Sequence, residues 1–284
     1  MKKNILIIGF GDIAIRLIQG FSKKDEYNFY SVSRSSKSFD NLNHIEWDWL
    51  SNKKLILPEI TFSNIIFIPK PSAYTEEGYK DGFQTSLTNI TNSLSNVNFE
   101  SFMGISSTSV YGKQQYGLLT EEIEPKPDNF RGEIILKYEH RIKSEIDAHS
   151  NILRFAGLYD PKEKIPEFQN KLSRNTASNI INHFIHSKKP GLFNCLEDND
   201  LISNGRNIIN TKLKNSVNST FFDKLKDYEK KNGFSEAIQS KKEDKKIPFF
   251  YLGPKNDWRK ILDKKIETKI NRAFPAEFKE LGYE

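Results

Sequence analysis

The chain has 284 residues, a formal net charge of +6, 37% hydrophobic and 12% aromatic residues, and a single cysteine. That length supports a sizeable core in one large domain or a core domain with a smaller lobe. One cysteine, Cys195, excludes an internal disulfide and a cysteine metal cluster. No run of about 18 apolar residues exists, and the N-terminus enters an apolar run directly after Lys2-Lys3, so neither a membrane span nor a signal peptide is expected. A cytoplasmic location is the expectation. The basic balance raises nucleic acid as a partner, but the lysines are scattered among asparagines and glutamates and form no stripe with interleaved aromatics. An anionic small ligand accounts for the charge as well. The densest run, Lys241 to Lys246, is mixed in sign and reads as a solvated loop.

Asn4 to Ala14 reads Asn-Ile-Leu-Ile-Ile-Gly-Phe-Gly-Asp-Ile-Ala. Four consecutive Ile/Leu residues lack amphipathic alternation and suit a strand buried on both faces, as in a parallel sheet. Gly9 can turn the chain tightly, Gly11 can let a pyrophosphate touch the backbone, and Ala14 lets the following helix pack close. The start of that helix (Asp12, Ile13 and onward, with Leu17 and Phe21 on the same stripe) offers free N–H groups and a partial positive charge to phosphate. The pattern points to a dinucleotide site; the competing reading is an ordinary strand-to-helix turn.

Further strands are predicted at Phe29–Ser33, His44–Asp48 and Asn64–Ile68, the last stopped by Pro69. A helix over about Tyr79–Leu94 leads to a strand at Phe102–Ser106, and a helix over about Glu133–His149 leads to one at Asn151–Phe155. Strands alternating with helices imply an α/β, Rossmann-type doubly wound parallel sheet. Its ligand belongs beyond the carboxyl ends of the strands. Residues 1–160 read as the dinucleotide-binding core, with one further core strand at 191–196. Residues 161–284 read mostly as a smaller substrate-side lobe, including a helix over 177–187 and a strand-like Ile247–Leu252. No internal repeat is present.

The second strand ends Ser33-Arg34-Ser35-Ser36-Lys37, where an NAD site normally carries an acid for the ribose 2′-hydroxyl. No carboxylate is available there. Arg34 between two hydroxyls suits a 2′-phosphate, which favours NADP and leaves NAD possible. Asp48, at the end of the third strand, is placed to face the adenine edge. His183 and His186 stand three apart on a predicted helix, but no third ligand is apparent, so no metal is expected.

Ile105-Ser106-Ser107-Thr108-Ser109-Val110-Tyr111-Gly112 is the most specific string in the chain. It resembles the Ser-Ser-x-x-Val-Tyr-Gly signature of extended short-chain dehydrogenases, the nucleoside-diphosphate-sugar epimerase and dehydratase family. Thr120-Glu121 followed by Pro125 and Pro127 resembles that family's substrate-side loop, Leu153-Arg154-Phe155 its sixth strand, and Phe193-Asn194 its last core strand. The resemblance spans residues 4 to about 200. It implies a bound dinucleotide, a nucleotide-sugar-like substrate, and Ser107 as the catalytic serine.

The family's chemistry also uses Tyr-x-x-x-Lys, usually as Tyr-Gly-x-x-Lys with an acid eight residues after the tyrosine. Gly132 and Glu139 satisfy that register, which puts Arg131 in the tyrosine place and Ile135 in the lysine place. Arginine stays protonated and isoleucine can neither lower a pKa nor bond a ribose. Tyr138 offers no rescue, since its partner four residues on is Ile142. The departure resembles an atypical subgroup of the family that lacks the pair. Arg131 is then expected to polarise an oxygen or grip a phosphate, and Tyr111, Tyr116 or Glu121 to replace the lost acid/base, with Arg154 also assigned to the substrate side. Asn179 stands where the family often has an aspartate. The contrasting reading is a non-catalytic NADP(H)-binding redox sensor. The substrate, the reaction and the oligomeric state are left open.

Overall fold

The computed structural model describes residues 2–21, 24–146, 149–163, 170–187, 190–197 and 206–212. By packing, the chain divides into two units, Met1–Ser216 and Val217–Glu284. The described residues all belong to the first. The strand-like Ile247–Leu252 and the charged run at Lys241 lie outside them.

The first unit is built on a seven-stranded, all-parallel sheet. Its strands are β1 (Lys3–Ile8), β2 (Tyr27–Ser33), β3 (Leu42–Glu46), β4 (Asn64–Phe67), β5 (Ser101–Ser107), then, after a short β6 (Gly117–Leu119), β7 (His149–Phe155) and, after β8 (Gly157–Tyr159) and β9 (Lys171–Ser173), β10 (Gly191–Cys195). The order is β3-β2-β1-β4-β5-β7-β10. Ile5, Leu6, Ile7 and Ile8 are fully buried at its centre, which is why that segment carries no polar face. Each such side chain contributes roughly 1.5–3 kcal/mol of burial. The crossovers reverse direction between β1 and β4, so a crevice opens there at the carboxyl ends of the strands.

Helix α1 (Asp12–Gly20) buries Ile13, Ala14, Leu17 and Ile18. It packs against α5 (Arg174–His186), a helix that the sequence places in the smaller lobe. Phe21 closes α1 against Tyr27, Phe29 and the ring of His186. His186 also lies 3.2 Å from the Tyr27 hydroxyl through Nδ1. Among the described residues no group of three His, Cys, Asp or Glu side chains is arranged to hold a metal.

The helix predicted over 79–94 starts earlier and is not uniform. Thr75 caps α2 (Glu76–Tyr79), a π-helical turn spans Lys80–Thr85, and α3 (Ser86–Leu94) completes the stretch. The wide turn lies where Gly82 presses on backbone; a Cβ there would sit 2.4 Å from the Lys70 carbonyl oxygen. Such turns relieve crowding inside an otherwise α-helical run. Helix α4 (Phe130–Glu145) packs on β5 and β7. β6 pairs in parallel with β11 (Arg206–Ile208), and β8 with β9, pairings between three-residue segments that no sequence pattern announces. Among the described residues no helix is long and apolar enough to cross a membrane.

Candidate dinucleotide site

At the switch point the chain forms a cleft of about 490 Å³. Gly9, Gly11, Asp12 and Ile13 line it from the β1–α1 turn, Ser33, Arg34 and Ser35 from the end of β2, and Pro69 from the end of β4. The glycine loop is shaped by two different constraints. Gly9 has φ +98°, and a Cβ there would sit 2.3 Å from the Ile68 carbonyl oxygen. Gly11 is extended, with open space where a Cβ would go. Gly9 is therefore required by the fold, whereas no neighbouring atom requires a glycine at position 11.

The acid in this wall, Asp12, is neutralised by its own helix. Arg16 donates to Asp12 Oδ2 at 2.9 Å and to Asp160 Oδ2 at 2.6 Å, and Arg174 stands 3.5 Å from the same Asp12 oxygen. The bonded carboxylate of Asp12, above all, holds the Arg16 guanidinium above its ordinary pKa. The first turn of α1 is thus left electrostatically open to a phosphate.

Sequence reasoning missed several walls: Phe10, Trp49, Leu50, Lys70, Ser72 and Arg174. Trp49 and Leu50 follow β3, one and two residues past the predicted Asp48. Asp48 itself is not among the lining residues; its Oδ1 accepts the Leu50 amide at 3.0 Å. Arg174 arrives from α5 and had no local signal.

The predicted catalytic and substrate residues do not gather in this cleft. Ser107 ends β5 half-buried and accepts the Ser109 amide at 3.2 Å, capping a 3₁₀ turn at Thr108–Val110. Arg131 is exposed at the start of α4, 5.7 Å from the ring centres of Tyr79 and Phe130. Ile135 is buried. Tyr116 is 62% exposed in the loop before β6.

Tyr111 is 2% exposed, with its hydroxyl hydrogen directed at the Thr120 carbonyl, 2.7 Å, and Asn194 Oδ1, 3.2 Å. Burial raises its pKa, against the opposing pull of Arg154. The hydroxyl ties the loop at Thr120 to β10. Arg154, read as a substrate contact, is equally buried: Nε and Nη2 pair with Glu139 at 2.9 and 2.6 Å, and Nη1 donates to the Tyr111 hydroxyl at 2.8 Å. Ser106 donates to the same carboxylate at 2.5 Å. Glu121 accepts the Asn194 amide at 3.1 Å and the Thr211 amide and hydroxyl at 3.2 and 2.6 Å, so it ties β10 to the segment after β11. All three side chains make hydrogen bonds within the fold.

No family model matches the chain, and no curated protein does. Solved structures do share its architecture. UDP-glucuronic acid 4-epimerase from Bacillus cereus, in complex with NAD, superposes with a TM-score of 0.59 at 15% identity over 72% of this chain and 87% of that one. UDP-N-acetylglucosamine 4-epimerase from Bacillus cereus gives 0.57 at 16% identity, covering 75% and 91%. The enzyme of that name from Methanobrevibacter ruminantium, in complex with UDP-N-acetylmuramic acid, gives 0.56 at 15%, covering 69% and 77%. The fold is a Rossmann-type parallel sheet like that of these epimerases, with a glycine-loop cleft at its switch point.

Proposed function

We propose that the chain binds NADP in this cleft and sets it against a nucleotide-sugar-like ligand, without the tyrosine–lysine pair of the extended short-chain dehydrogenases. One observation carries the cofactor reading. The end of β2 lines the cleft with Ser33, Arg34, Ser35 and Lys37 and contributes no carboxylate. Guanidinium and ammonium groups with flanking hydroxyls fit a 2′-phosphate, whereas a bare ribose hydroxyl would find no acceptor side chain of the usual kind. The empty space over Gly11 fits a pyrophosphate on the α1 amides. NAD is the partner in the Bacillus cereus epimerase complex, and UDP-sugar chemistry in that enzyme supports the substrate class.

A nicotinamide dinucleotide supplies hydride donation or acceptance when bound. The chain's own groups would do the rest. Ser107 keeps its hydroxyl hydrogen for a ligand oxygen while accepting the Ser109 amide. Arg131, flanked by two aromatic rings, would grip an anionic group. A binding-only role, a redox sensor, is favoured by a separate observation: Tyr111 and Glu121 are committed to the fold, which leaves Tyr116 as the exposed proton donor of that set.

Titration calorimetry tests the cofactor. NADPH should bind at least about tenfold more tightly than NADH, in line with the roughly 1.5–3 kcal/mol of a charge-assisted contact. Arg34→Glu should reverse the order; equal affinities in the parent protein would end the NADP reading. A second measurement follows reduced-nicotinamide absorbance with a panel of UDP-sugars. General acid–base assistance is worth roughly two to four powers of ten, so turnover should stay near background. Robust turnover that ignores Ser107→Ala would place the active site elsewhere.

A further inference from the structure

The segment that would meet the 2′-phosphate is exposed from Arg34 to Lys37 and leaves the sheet at Ser33. An exposed loop of this kind loses conformational entropy when it grips a ligand, so something must hold it beforehand if it is to select one cofactor over another. One side chain reaches it from the neighbouring strand. His44, on β3, is the register partner of Ser31 on β2. Its Nδ1 lies 2.8 Å from Ser31 Oγ, and its Nε2 lies 3.1 Å from the Ser35 carbonyl oxygen. Ser33 Oγ donates to that same carbonyl at 2.9 Å. The ring also leans on Phe10 in the cleft wall, with centroids 6.3 Å apart.

The Ser35 carbonyl only accepts, so Nε2 donates to it, while Nδ1 shares a hydrogen bond with the Ser31 hydroxyl. Ser31 is fully buried, which fixes one end of the imidazole in the sheet. The other end holds the Ser35 carbonyl, whose partial negative charge is thereby bonded to the ring and to Ser33 Oγ.

We infer that His44 is the positioning residue for cofactor selection: it ties the Ser33–Ser35 loop to the sheet and keeps the Ser35 carbonyl away from the 2′-phosphate, so that Arg34 and the hydroxyls meet it. The inference rests on the NADP reading above. It concerns the preference between two cofactors that differ by that one phosphate, and so makes no demand on the glycine loop.

Two conservative variants separate the two ends of the ring. Glutamine places an amide donor near Nε2 and keeps the bond to Ser35, whereas asparagine reaches only the Nδ1 position. Calorimetric affinities for NADPH and NADH are measured on the parent, His44→Gln and His44→Asn. His44→Asn should weaken NADPH about tenfold and leave NADH within about twofold, and His44→Gln should keep the parent's preference within about threefold. An asparagine variant that retains the full preference overturns the inference. So does an equal loss for both cofactors, which would mark a purely structural role. A parent protein with no preference for NADPH removes the NADP reading itself and the inference with it, and the parent titration alone reports that failure.

Discussion

Glu139→Ala should lower the free energy of unfolding by about 3–5 kcal/mol, the range for removing one partner of a buried ion pair. The carboxylate takes Nε and Nη2 of Arg154 and the hydroxyl of Ser106, with both side chains of the ion pair nearly inaccessible to solvent. Without it, a guanidinium stays in the core between α4 and β7 with no counter-charge. Such a loss is a large share of the roughly 5–15 kcal/mol that holds a typical domain. Urea denaturation followed by circular dichroism reads it as a lower midpoint with the slope unchanged. The double variant Glu139→Leu, Arg154→Leu should recover much of the loss, because the desolvated charges disappear together. A shift below about 1 kcal/mol in the single variant would show that water reaches the pair and that α4 is not seated in the register that places Arg131 at its first turn.

Substitutions at the two glycines of the β1–α1 turn should fail in opposite ways. Gly9→Val should destabilise the protein by several kcal/mol, since it forces a branched residue to φ +98° and drives its Cβ onto the Ile68 carbonyl. Gly11→Val should leave the denaturation midpoint within about 0.5 kcal/mol of the parent, because nothing lies within 4 Å of its Cβ. Its effect should fall on the ligand. The branches would occupy the approach to the α1 amides, and dinucleotide binding should drop by at least about a hundredfold, to the edge of calorimetric detection. A folded Gly11→Val protein that binds NADPH normally would make the glycine loop a structural turn only.

Much of this molecule was open to sequence reasoning because its determinants are local. The unbroken Ile5–Ile8 run suits a doubly covered strand, the stripe Ile13, Leu17, Phe21 suits one face of a helix, and Gly9 and Gly11 between them mark the turn that lines the cleft. Ser33, Arg34 and Ser35 followed from the end of a predicted strand, where the parallel topology dictates the ligand side. Glu139, singled out in the sequence for its spacing after Gly132, closes on Arg154 across 15 positions.

Tertiary packing alone decided which polar groups remain available for chemistry. Tyr111, Glu121 and Arg154 have the right chemical types, but their roles depend on partners 9 to 90 residues away: Thr120, Asn194, Thr211 and Glu139. Each makes bonds inside the fold that local sequence does not record, and Tyr111 and Arg154 are buried as well. Walls such as Trp49 and Arg174 likewise reach the cleft because β3 lies beside β2 and α5 packs on α1. Local periodicity records which face of an element is apolar. It holds no record of which distant element will cover that face, and the cleft is made where those elements meet.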